Sequence, residues 1–99
     1  MSDSTAIFIK ILLEIIKEQE SVIGPLAWIE AGKVAGLQII DLQKNEIAIS
    51  GNDPKNVVNS LVERYERLFG RASREVCRDA VASIIADLAP SDIPSSLVA

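Results

Sequence analysis

Ninety-nine residues, 48% of them apolar but only 4% aromatic, suit one small domain with an aliphatic core and exclude an intrinsically disordered chain. A net charge of −4 disfavours a general polyanion binder, so nucleic acid is not an expected partner. Histidine is absent and Cys77 is the lone cysteine, which leaves no donor set for a transition metal and no intrachain disulfide; neither a metal nor a cofactor is expected.

The stretch from Ser4 to Ile23 is the most apolar in the chain. Its polar residues Lys10, Glu14, Lys17, Glu18 and Ser21 make a narrow stripe on a helix, because positions three and four apart share a face. Nearly everything else between Ala6 and Ile16 is aliphatic or aromatic, so such a helix must be covered over most of its circumference. Ser4 or Thr5 is placed to cap it, with residues 1–3 frayed. A secretory leader would open with basic residues, whereas the first charge here is Asp3. The apolar runs are far shorter than the roughly 20 residues needed to span a bilayer. We expect a soluble, cytoplasmic protein without a transmembrane segment. A helix lying on a membrane surface is disfavoured, because the helix carries more Glu than Lys, Glu14, Glu18 and Glu20 against Lys10 and Lys17.

Gly24-Pro25 ends the first helix, and Pro25 can open a second, expected from Leu26 to about Val34, with Gly36 as its stop. Two β-branched runs, Leu37 to Leu42 and Ile47 to Ser50, flank Gln43-Lys44-Asn45-Glu46 and predict a β-hairpin. Continuation of the preceding helix through Leu42 is the competing reading, and Gly36 counts against it. Asp53 is placed to cap a helix that starts at Pro54, carries apolar residues at helical spacing from Val57 to Phe69 and stops at Gly70. The last helix starts at Arg71 or after Ser73 and runs to Leu88, before Pro90. The tail from Pro90 to Ala99 is either a docking segment or a cover for the helix pair.

No motif assigns an activity, and each candidate site has a plainer reading. All five arginines, Arg64, Arg67, Arg71, Arg74 and Arg78, flank the Gly70 turn and could take an anionic partner such as a phosphorylated, nucleotide or acidic protein ligand. Glu63, Glu66, Glu75 and Asp79 share that window, so a solvated face with Glu63–Arg67 and Arg71–Glu75 pairs is favoured. The Gly51-Asn52-Asp53 turn precedes a helix as phosphate-binding turns do, but Asp53 would repel the anion and a capped turn is favoured. Cys77 falls on the apolar stripe and, without a histidine to activate it, is expected in the core. Glu30 is the nearest approach to a catalytic carboxylate and is expected on a helix surface. Trp28 and Tyr65 are expected to pack rather than to stack on bases.

The expected fold is α+β and mainly α: an N-terminal helix, a short helix, a β-hairpin, then two antiparallel amphipathic helices. One domain spans 1–99, with residues 1–3 and 90–99 as flexible or docking termini. The first helix offers more apolar surface than two amphipathic partners would cover. A homodimer or higher oligomer is therefore expected, with Ile7, Phe8, Ile11, Leu12, Ile15, Ile40 and Leu42 at the contact. The expected function is a non-enzymatic interaction or regulatory module with itself and another, unidentified protein as partners. The alternatives are the arginine-based anion binder and a small enzyme subunit with a carboxylate site at an oligomer interface.

Overall fold

The computed structural model describes residues 3–51 and 53–98, with side chains from residue 5 onward. Met1 and Ser2, part of the terminus expected to fray, and the side chain of Ser4, one of two expected caps, lie outside the described residues. The chain forms α1 (Asp3–Ile23), α2 (Leu26–Ala31), β1 (Leu37–Asp41), β2 (Glu46–Ile49), α3 (Pro54–Phe69) and α4 (Ala72–Ile85), then two short 3₁₀ turns at Pro90–Asp92 and Ser95–Leu97. This is the expected mainly helical α+β order. Because α1 is already helical at Asp3, Thr5 lies within its first turns and does not cap it from outside.

The apolar side of α1 organises the core. Phe8, Ile11, Leu12, Ile15 and Ile16 are buried, while Lys10, Lys17, Glu18 and Ser21 of the polar stripe face solvent. α2, α3, α4 and β2 all pack against this helix. From α3 come Val57, Val58, Leu61, Val62 and Tyr65, at the spacing that puts one stripe inward. From α4, Cys77 and Val81 are fully buried. The expectation that one chain could not cover α1 is therefore corrected. It counted two amphipathic partners, whereas the short helix and the hairpin share the task.

Local chemistry fixes the boundaries. Gly24 takes φ 73°, and its N–H donates to the Glu20 carbonyl at 2.8 Å, closing α1 in the left-handed conformation glycine adopts freely. α2 ends at Ala31, short of the expected Val34, and irregular turns lead through Gly36 into β1. The strands pair antiparallel, with Leu37 opposite Ile49 and Ile39 opposite Ile47; a bulge between Ile39 and Asp41 leaves Ile40 as the extra residue. Asp41 then accepts from the Gln43 and Lys44 N–H groups at 2.9 and 3.2 Å, so the turn starts at Leu42 rather than after it. Asp53 caps α3 as expected, accepting from the Lys55 N–H at 3.0 Å, with Pro54 in the first helical position. Arg71 precedes α4 without a side-chain cap, and α4 ends at Ile85, three residues before the expected Leu88.

α3 and α4 are joined by Gly70 and Arg71 alone and run antiparallel: Glu66 meets Arg74 across the turn. Gly70 makes this possible with φ 96° and ψ 173°, a region that is essentially closed to residues with a Cβ. A Cβ at Gly70 would meet nothing within 4 Å, so the cost of Gly70→Ala is one of backbone conformation alone. We expect that variant to lose about 1–3 kcal/mol of unfolding free energy, read as a lower urea midpoint with an unchanged m-value.

Candidate functional site

A concavity lies where the end of α1, α2 and the hairpin meet. It is a groove of about 710 Å³, walled by Pro25, Trp28, Ile29, Ile39 and Leu42. Glu20 and Lys33 are its charged residues, with Asn45 from the hairpin turn beside them. Ile29 is 54% exposed and Leu42 56% exposed, which is high for large aliphatic side chains. Leu26, one turn before Ile29 on α2, is exposed as well, as is the bulge residue Ile40. Trp28 itself is buried and forms the floor. The groove is thus walled by α2 on one side and by Ile39 and Leu42, from β1 and the turn after it, on the other.

The expected α1 interface does not coincide with this surface. Phe8, Ile11, Leu12 and Ile15 are buried within the single chain and cannot meet a partner without unfolding, whereas Ile7, Ile40 and Leu42 remain accessible. Trp28, Ile29 and Leu26, which complete the apolar surface, were not among the expected contacts. Their signal was available: Leu26 and Ile29 fall three apart on a short helix whose inward face is Ala27, Trp28 and Ala31.

The arginines separate by role. Arg74 donates through Nε and Nη2 to Glu66 Oε1 at 3.2 Å each, and through Nη1 to the Ser96 carbonyl at 3.0 Å. Arg64 donates through Nε to Glu30 Oε1 at 2.8 Å, joining α3 to α2. Arg64 and Arg67 share a small cleft with Lys33, Ser60 and Glu63, whereas Arg78 lines a different groove with Glu75 and Asp79. Arg64 and Arg67 thus come together in one cleft, while Arg74 and Arg78 lie in two other settings. Among the described residues the ion pairs are Glu14–Lys17, Glu30–Lys33, Glu30–Arg64 and Glu66–Arg74. The expected Glu63–Arg67 and Arg71–Glu75 pairs are not among them.

Glu30 is no loose surface residue: its side chain is only 12% exposed, between Arg64 and Lys33. The hydrogen bond from Arg64 holds its carboxyl below the ordinary value of 4.5, against the opposing effect of burial and with help from Lys33. A depressed pKa suits an ionised structural anchor and not a general acid. Tyr65 is fully buried and donates to the Ala27 carbonyl at 2.6 Å, a second tie between α3 and α2. Burial raises its phenol above the usual range. Trp28 and Tyr65 are thus packing residues, as expected.

Cys77 is buried, and burial pushes its thiol up to about 11. Its Sγ accepts from Gln19 Nε2 at 3.3 Å, and the same amide nitrogen donates to the Ser73 carbonyl at 3.0 Å. Gln19 is itself completely buried on α1, and its Oε1 has no hydrogen-bond partner. Nothing in the helical stripe of the sequence marks this glutamine, because one polar residue beside Glu18 and Glu20 reads as part of the exposed side. In the Gly51–Asp53 turn the Asp53 carboxylate is committed to its cap, and Asn52 lies outside the described residues. Among the described residues no group of three or more metal-ligating side chains converges, and no helix is long and apolar enough to cross a membrane.

Two outcomes test these assignments. Because the Glu30 pKa is lowered on folding, its contribution is present above the unfolded value of 4.5 and is lost as the pH falls through the lower folded value. Glu30→Gln should therefore reduce stability at neutral pH and flatten the decline of the wild type on acidification, measured by urea titrations across the acid range. The Cys77 thiol should stay unmodified by a water-soluble alkylating reagent at pH 8 in the native protein and react only in denaturant; rapid native labelling would contradict its burial. No family model, curated protein or solved structure matches this chain.

Proposed function

We propose that this protein is a non-enzymatic interaction module that acts as a homo-oligomer through the groove and apolar face formed by α2 and the hairpin. The observation that carries this reading is the grouping of Ile29, Leu42 and Leu26 as exposed large apolar residues around a walled groove. A two-stranded ribbon adds unpaired main-chain edges, which can hydrogen-bond to the same ribbon of a second copy. The charges on the groove suit a second copy better than an unrelated surface. A two-fold contact sets each patch against itself, so it needs both signs of charge, and the groove carries one acid, Glu20, and one base, Lys33.

Gel filtration with light scattering over a dilution series tests this reading. The wild type should run as a dimer or larger, and Leu42→Lys or Ile29→Lys should raise its dissociation constant at least about tenfold, equivalent to about 1.4 kcal/mol. Both positions are exposed, so the melting temperature of the monomeric variants should stay close to that of the wild-type subunit. A wild type that is monomeric throughout the series, or variants that associate as tightly as the wild type, would refute the proposal.

A further inference from the structure

One small cleft collects positive charge from two separate elements. Arg64 and Arg67, three apart on α3, line it with Ser60, four residues before Arg64, so the three share a helix face. Lys33 reaches it from the turn after α2. The largely buried Glu30 holds two of these cations with separate oxygens: Oε1 accepts from Arg64 Nε at 2.8 Å, and Oε2 from Lys33 Nζ at 3.3 Å. Arg64 is thereby fixed through Nε alone, and among the described residues its terminal Nη1 and Nη2 have no protein partner. The Arg67 guanidinium has none at all among the described residues. An ion-pair face would close these donors on the nearest acid. Glu63 lines the same cleft, and neither arginine pairs with it.

We propose that the α2–α3 cleft binds a phosphate group, free or as the terminal monoester of a small molecule, through the Arg64 Nη groups, the Arg67 guanidinium, Lys33 Nζ and the Ser60 hydroxyl. Two guanidinium forks on one helix face match the several acceptor oxygens of a phosphate, and one of them is held in place before the ligand arrives. The cleft measures about 240 Å³. That is below the range of about 300–1,000 Å³ typical of drug-sized ligands, so it suits one compact headgroup. Three cations against Glu30 and Glu63 leave the cleft locally positive in a chain of net charge −4. A dianion gains more from that excess than a monoanion does, and Glu63 weakens both. Lys33 also borders the α2–hairpin groove, but Arg67 and Ser60 do not, so the site does not depend on self-association.

The test is an NMR titration of the isotope-labelled full-length chain at neutral pH and fixed ionic strength. Inorganic phosphate and O-phosphoserine are the probes, with acetate and chloride as controls. Both probes should shift the Nε–H resonances of Arg64 and Arg67 and the Ser60 amide saturably, and the tighter of the two identifies the free ion or the monoester as the ligand. Arg67→Gln removes donors that hold nothing else in the described fold, and should weaken phosphate binding at least about tenfold. Glu63→Gln should tighten it about twofold or more. Arg78→Gln, in the separate groove along α4, should leave it unchanged. Shifts that chloride or acetate reproduces at the same concentrations, or an Arg67→Gln variant that binds phosphate as the wild type does, would overturn the proposal.

Discussion

Everything in this fold answers to the need to keep α1 out of water. Phe8, Ile11, Leu12, Ile15 and Ile16 lie on one side of the same helix, and no single neighbour is wide enough to cover them. α3 and α4 supply the two long walls, α2 folds back over the end of the helix, and β2 adds Ile47 to the same cluster. The short elements, which would be marginal alone, gain their stability from this contact. The outward side of those short elements remains uncovered, and it carries the exposed aliphatic residues Leu26, Ile29, Ile40 and Leu42.

The boundaries were legible wherever one residue type has a single physical use. Gly24-Pro25, Asp53-Pro54 and Gly70 mark helix ends by conformations or missing donors, and the chain turns at all three. The long stripe of α3 was equally clear. Coverage of α1 was not legible, because composition states how much area must be hidden and not which elements hide it. The setting of each arginine was not legible for a related reason: proximity along two helices around a tight turn does not fix proximity in space, and Arg64, Arg74 and Arg78 end in three different settings. The bulge at Ile40 depends on pairing register, which no local pattern declares.

The tail had two readings, and it folds back onto the helix pair. Lys55 donates to the Ser91 carbonyl at 2.9 Å, and Asn59 and Arg74 hold Ser96 further on. These are side chain to backbone contacts, which a sequence cannot announce because the accepting groups belong to every residue alike. Residues 90–98 therefore join the fold rather than trailing from it. The Tyr65 and Arg64 contacts work the same way between α3 and α2, each spanning more than thirty positions of chain.

Gln19 gives the aliphatic interior something that aliphatic groups cannot. Greasy surfaces built from isoleucine and leucine can slide or rotate past one another at little cost, because contact between methyl groups has no direction. An amide has direction. Only one setting of α1 against α4 brings its N–H groups to the Ser73 carbonyl and the Cys77 sulfur, and any other would strand both ends of the amide instead of Oε1 alone. The glutamine thus works as a key in a smooth lock, giving up a little cohesion so that two slippery helices have a single way to meet.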